Sequence, residues 1–257
     1  MSWRVSAAII RHEFRIMLKD PSTILFILFM PLVMTALMKP LYQSALSARG
    51  VSGATGAEQA VPGMAVAFAA FGVGFSGFAF FREHGWGTWE RLRASAATSA
   101  DIMTGKLVPA FSLTLIQMAA LLALGVPLFG FAVAGSVLGL AAVVVAVTLA
   151  LTAFGMTVTA ISRTSQQLNA LGSLGSMLFG IIGGAFVPVA FMPAWARAIA
   201  PATPTYWAMR GFRSVTLDAG GLGSVALPVV VLLGMAALFG AIAAMKFRFE
   251  ETRIYFG

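Results

Sequence analysis

Six stretches of this chain, residues 22–38, 61–81, 107–131, 137–161, 168–189 and 225–245, carry no Asp, Glu, Lys, Arg or His. Runs of that kind admit few folds. In hydrocarbon every backbone N–H and C=O needs a partner inside the protein, and a helix supplies one within a single segment. A bilayer core of about 30 Å takes roughly 20 helical residues at about 1.5 Å each, a length these runs reach or approach. The expected fold is an all-α integral membrane protein, with residues 1–257 forming one membrane domain of six transmembrane helices. Composition agrees: 59% of residues are apolar and 10% charged, with a mean hydropathy of +0.91, against about 45–50% and about 25% in soluble domains.

The charge-free spans argue against a proton pump or ion-coupled carrier, which places ionisable groups at membrane depth. There is no cysteine, so thiolate chemistry and disulfides are excluded. His12 and His84 stand alone and make no metal-ligand spacing. The first apolar run follows about twenty residues bearing both charge signs and lacks a small-residue cleavage pattern, so a retained N-terminus is expected. Six spans put both termini, residues 82–106 and residues 162–167 on one side, which then holds 12 of the 17 Lys and Arg residues. Lys39, Arg49, Arg197, Arg210 and Arg213 fall on the other. The positive-inside bias places the termini in the cytoplasm, and the net charge of +8 reads as topology and lipid contact rather than nucleic-acid binding.

Residues 1–20 read as an amphipathic elbow helix lying in the interface. At about 100° per residue, Arg4, Arg11, His12, Arg15 and Lys19 share one sector while Trp3, Ile10, Phe14 and Met17 gather on the far side. Glu13 falls off the polar stripe. Pro21 should end this helix, and Pro31 should kink the first span. Residues 39–60 read as a small polar outer loop. Residues 190–224, with Trp195, Tyr206, Trp207, three prolines and three arginines, read as short re-entrant or interfacial helices in an extracytoplasmic region before the sixth span.

Between spans two and three stands "FFREHGWGTWERLRAS". Glu83 and Glu90 could suggest paired catalytic carboxylates, but Gly85 and Gly87 interrupt any shared helix face, and Arg82, Arg91 and Arg93 flank them. Acid–base work needs a water-excluding pocket and a tuned pKa, so no catalytic residue is assigned. The alternative is a glycine-permitted bend, then a short helix from Thr88 to about Ala97 capped by Thr88, its charges and Trp89 suited to docking on a protein. Elsewhere Phe68, Phe71, Phe75 and Phe78 form an aromatic stripe on the second span, read as packing or as the lining of an apolar path. Gly180 and Gly184 form a G-x-x-x-G pair suited to close helix packing. "TGKL" at residues 104–107 is not a phosphate loop, lacking the leading glycine and the hydroxyl residue.

The stretch from Arg82, with Gly105 and Lys106 after it, resembles the signature loop of type 2 ABC exporter permeases, an R-E-x-x-x-G-T-x-E-x-L pattern ending in Gly-Lys. Arg82, Glu83, Gly87, Thr88, Glu90 and Leu92 match it position by position. Gln166 or Gln167 opening the fifth span, "GGAFVP", "MPAW" and "PTYWAMRGFR" are similar to the family's second half. Ala96 and Ala97 stand where many relatives have proline, and Arg210 where a neutral or acidic residue is common. The resemblance implies that residues 82–106, with Arg82, Glu83, Gly87, Thr88, Trp89, Glu90, Arg91 and Leu92, couple to a separate ABC ATPase subunit present in two copies. It implies a second permease copy or paralogue, and a path lined by spans two and five, Met177 and Phe179 included. ATP and Mg would sit on the partner, with no cofactor or metal on this chain.

The leading expectation is an export permease in the plasma membrane for an apolar or amphipathic compound, such as a drug, antibiotic or lipid. A polysaccharide or glycolipid exporter is the alternative within the family, disfavoured by a phenylalanine-rich second span that lacks tyrosine. An ATP-independent membrane enzyme or assembly factor is the remoter one, and it would need polar catalytic groups clustered at one depth.

Overall fold

A computed structural model describes residues 3–19, 21–48, 50, 53–95 and 97–247, apart from the side chains of residues 18, 21–24, 26, 73–76, 93 and 99. Among these residues all regular structure is helical. The elements are α1 (Trp3–Lys19), α2 (Pro21–Ser47), α3 (Ala57–Phe71), α4 (Val73–Gly85), α5 (Trp89–Arg93), α6 (Ser99–Phe129), α7 (Val137–Ile161), α8 (Ser165–Ile182), α9 (Ala194–Ile199), α10 (Pro204–Thr216) and α11 (Ala226–Lys246). Three short 3-10 turns accompany α9 to α11.

Helices α7 and α11 form the most extensive pair. The Thr157 hydroxyl joins them by donating to the Phe239 carbonyl at 2.7 Å. Nearly every side chain of α3 is buried, packed against α2, α6, α8 and α10. Val66, Met118, Val143, Leu151, Phe212 and Leu232 meet in the resulting core. Hydroxyl residues start several helices: Ser136 caps α7, Thr164 caps α8, Thr203 caps α10, and Thr98 with Asp101 makes a full capping box on α6.

The fourth span runs 137–161 as expected. Others differ. The first span does not stop at residue 38: α2 passes through Pro31 and Pro40 to Ser47, so residues 39–47 of the expected outer loop are its last turns, and residues 57–60 already belong to α3. Both prolines lie inside the helix, where the Thr35 and Ser44 hydroxyls donate to the Pro31 and Pro40 carbonyls at 2.7 and 3.0 Å. Gly56, at φ +83°, lets the chain turn so tightly onto α2 that a Cβ would sit 2.3 Å from the Lys39 carbonyl. The second span is two helices, because α3 ends at Gly72 and α4 begins at Val73. The third starts at Ser99 rather than residue 107, which places Asp101 and Lys106 inside α6. Among the described residues three helices, Ala100–Phe129, Val137–Ile161 and Leu222–Lys246, are long and apolar enough to cross a membrane.

The fifth span ends at Ile182, short of residue 189, in a Schellman motif. Gly184 takes φ +91°, its N–H bonds the Ile181 carbonyl at 3.2 Å, and the Ala185 N–H bonds the Gly180 carbonyl at 3.0 Å. Gly180 and Gly184 therefore share no helix face, and the expected G-x-x-x-G seam does not form. Instead, the space beside Gly180 holds the Phe186 ring. The irregular segment after it is held by Gln59, whose Nε2 donates to the Gly184 carbonyl at 3.0 Å, and by the Tyr42 hydroxyl donating to the Phe186 carbonyl. The Thr205 hydroxyl donates to Phe179 O at the end of α8.

Replacing Gly184 by Ala should cost about 1–2 kcal/mol from the left-handed backbone alone, with Val189 Cγ2 only 2.7 Å from the new methyl adding to it. Thermal unfolding in detergent should show a lowered midpoint. Gly234→Ala in α11, where a Cβ meets nothing within 4 Å, should show no loss.

Candidate coupling site

The motif segment lies where α4 ends, and it is organised from below by a lysine. Lys106 belongs to α6 and is 2% exposed. Its ammonium has three donors, and three acceptors meet it: Glu13 Oε1 at 2.8 Å, Glu83 Oε1 at 3.0 Å and the Ala79 carbonyl at 2.7 Å. Glu13 uses its other oxygen on Arg82 Nη2 at 2.6 Å. Two cations and two carboxylates thus form a neutral cluster joining α1, α4 and α6.

Glu13 explains its own position off the polar stripe. The helix α1 has three faces. The cationic one is exposed. A second, with Ser6, Ile9 and Glu13, packs on α6, while Trp3 on the third is 72% exposed. Gly105 admits that second face, since a Cβ there would lie 2.5 Å from Ile9 Cγ2. One helical turn earlier on α6, the buried Asp101 accepts from the Ser6 hydroxyl at 2.8 Å. The Gly-Lys pair of the motif thus has a local role: glycine seats the elbow helix and lysine ties it.

Glu83 also receives the Thr88 hydroxyl, and its backbone carbonyl takes the Thr88 N–H at 3.0 Å. Thr88 therefore does not cap the short helix with its side chain, as expected from sequence, and α5 stops at Arg93 rather than near Ala97. Ala96 lies outside the described residues. Gly87, at φ +66°, makes the bend. Burial alone would push the Glu83 carboxyl up; the Lys106 charge, the hydrogen bonds from Thr88 and Lys106, and the nearby Arg82 outweigh it and hold the group below the usual carboxylate range.

Trp89, expected as a docking group, is turned inward: it is 3% exposed and stacks on His84 with ring centroids 4.5 Å apart. It packs with Phe80, Ile102, Met156 and Ala243, and Ile9 of α1 and Phe247 lie against them. Both ends of the described chain thus reach this end of the bundle. The exposed tip is formed by Trp86, Gly87, Glu90 and Arg91, with Leu92 half-buried. The Arg82 guanidinium lies over the Trp86 ring, 5.1 Å from its centroid. The side chain of Arg93 lies outside the described residues.

The expected path residues are divided by the break at Gly72. Phe68 and Phe71 are on α3 with centroids 6.2 Å apart, and Phe71 lies 6.5 Å from Phe186. Phe78, on α4, packs against the buried Phe81, Val158 and Leu168. The Phe75 side chain lies outside the described residues. On α8, Met177 is exposed and Phe179 packs on Phe154 at 4.7 Å.

A family profile described as ABC-2 type transporter matches residues 5–217. Two proteins called "Probable multidrug ABC transporter permease YbhR", from Escherichia coli strain K12 and Escherichia coli O157:H7, are each 30% identical over 172 residues. The match covers 65% of this chain and 45% of each relative, so less than half of their length is represented.

Lys106→Met should lower stability by up to about 3 kcal/mol, because Glu83 loses the ammonium it accepts from while Glu13 keeps only Arg82. The linkage of Glu83 gives a second test by thermal melting in detergent. With its folded-state pKa depressed, the stabilisation lost in Glu83→Gln should be full above about pH 5.5 and should shrink as pH falls below about 4.5.

Proposed function

The chain belongs to the ABC-2 type transporter family, and from that premise we propose that it is the membrane permease of an ATP-driven exporter. It works in the plasma membrane with both termini in the cytoplasm, crossing it six times, and moves an apolar or amphipathic compound outward. The multidrug assignment of the Escherichia coli relatives supports that cargo class. ATP and Mg are bound and turned over by a separate ABC ATPase subunit, two copies of which act on a pair of permeases. The exposed apolar face of α8, with Leu171, Leu174, Met177 and Leu178, suits a boundary with the second permease.

One observation carries the reading. The exposed tip of residues 86–91 stands on a buried ionic joint that binds it to both the elbow helix and α6. A push on the tip is then delivered to three helices together, whereas a loop tied only to its flanking residues would absorb it. Two roles separate within the motif. Trp86, Glu90 and Arg91 meet the ATPase, while Arg82, Glu83, Thr88 and Trp89 transmit. The work done is conformational, since binding energy on the partner changes the relative stability of two helix packings.

The test is co-purification with a candidate ABC ATPase subunit and measurement of substrate-stimulated ATP hydrolysis in vesicles. Trp86→Ala with Glu90→Ala should leave the permease folded, since the Lys106 joint is kept, and weaken ATPase association by about tenfold or more, as loss of an aromatic anchor does. Unaltered association and coupled transport in this variant would remove the coupling assignment.

A further inference from the structure

At the end of the bundle opposite the Lys106 joint, α10, α9 and the irregular segment after α8 enclose a half-open cavity of about 620 Å³. Its place follows from the chain path, since the N-terminus of α7 bonds residues 215 and 220 there while the C-terminal end of α7 packs beside Trp89 and Ile102. One stripe of α10 lines it, Tyr206, Met209, Arg210, Arg213 and Ser214, at the spacing of a single helix face. The other side of α10 is fixed by packing: Phe212 and Val215 are fully buried, and Gly211 lies against Val143. Arg197 comes from α9, and Gln59, Pro188 and Val189 complete the wall.

Three guanidinium groups and one carboxylate, Asp218, line this space. The Arg213–Asp218 pair is 3.8 Å apart, and both side chains are more than half exposed, so it neutralises little. Among the described residues, Arg197 and Arg210 form no ion pair. Arg210 lies over the Trp207 ring at 5.4 Å, a contact that holds the guanidinium without consuming its N–H donors. Like charges gathered around one partly enclosed space repel, and an anion relieves that repulsion. The planar fork of arginine matches phosphate. Beside the charges, Met209, Pro188 and Val189 give an apolar wall.

We propose that this cavity binds the phosphate group of an anionic amphiphile, with Arg197, Arg210 and Arg213 on the phosphate and Met209 and Val189 against its apolar part. The side of the membrane it faces rests on the export-permease reading; the binding chemistry does not. Gln59 anchors the wall by its bond to the Gly184 carbonyl, so its role is to position the segment and not to touch the ligand.

Native mass spectrometry of the full chain in detergent, without an ATPase, tests this apart from transport. The chain should retain phosphatidylglycerol over phosphatidylcholine, and Arg197→Gln with Arg210→Gln and Arg213→Gln should reduce that preference about tenfold, the scale set by losing charge-assisted hydrogen bonds. Asp218→Asn should change it in the opposite direction, a gain that misfolding cannot produce. Dihexanoyl phosphatidic acid and inorganic phosphate separate the sources: displacement by both marks recognition of the phosphate alone, and displacement by the lipid only marks recognition of the whole amphiphile. Equal phosphatidylglycerol retention by the wild type and the triple variant, or no gain in Asp218→Asn, overturns the proposal. Coupled transport by the triple variant at the wild-type rate would leave the permease reading standing whichever way binding falls.

Discussion

A buried ammonium with three acceptors from two other elements sets the geometry of one whole end of this protein. Lys106 projects from the second turn of α6 into a space where water does not reach, so its charge must be matched by protein groups. Glu13 supplies one, and Glu83 with the Ala79 carbonyl the others. Each comes at a fixed direction, so α1 and α4 have little freedom in how they meet α6. The net stabilisation of such a cluster is modest, because desolvation offsets much of the attraction. What it contributes is position. Thr88 extends the arrangement to the tip by bonding Glu83 through both backbone and side chain.

How much of this was legible in sequence depended on whether a pattern was local. The fourth span was read to the residue because it is uninterrupted, apolar and bounded by Ser136 and the polar link after Ile161. The start of the third span differs because Asp101 and Lys106 read as solvent-facing charges, whereas Asp101 closes the capping box with Thr98 and both are buried on Ser6, Glu13 and Glu83. Two clues were available, the Thr98-x-x-Asp101 spacing of a capping box and Glu13. An acid out of place on an amphipathic stripe marks a face turned toward protein, and it points to a buried cation elsewhere. Trp89 and Trp86 stand three residues apart in a charged loop, and their opposite fates, one buried and one exposed, depend on His84 and on Ile102 of α6. Gly180 and Gly184 satisfied a spacing rule that presupposes an unbroken helix. The positive φ at Gly184 was not visible in the motif itself.

Continuity distinguishes the helices as clearly as charge does. The long helices α6, α7 and α11 run without a break, and α7 and α11 are pinned by Thr157. The interruptions at Gly72 between α3 and α4 and at the Schellman end of α8 fall in the two spans that the family resemblance implies line the path. A broken helix exposes carbonyls that need partners. Here the partners cross between elements: Ser176 of α8 donates to Ala70 of α3 at 2.6 Å, Thr205 of α10 to Phe179, Gln59 of α3 to Gly184, and Tyr42 of α2 to Phe186.

Magnitudes then decide which part of the molecule yields. Each of those cross-bonds is a neutral hydroxyl or amide on a carbonyl, worth about 0.5–1.5 kcal/mol net, and a moving helix can exchange it for another carbonyl nearby. Drawing Lys106 away from both Glu13 and Glu83 leaves its buried ammonium without a counter-charge, at about 3–5 kcal/mol. Under the proposed mechanism a force entering at residues 86–91 therefore meets a joint that moves as one piece with α1, α4 and α6, and the bonds around Gly72 and Gly184 exchange first. The stiff cluster lies where force would enter and the exchangeable contacts where cargo would pass, the order a transmitted movement requires.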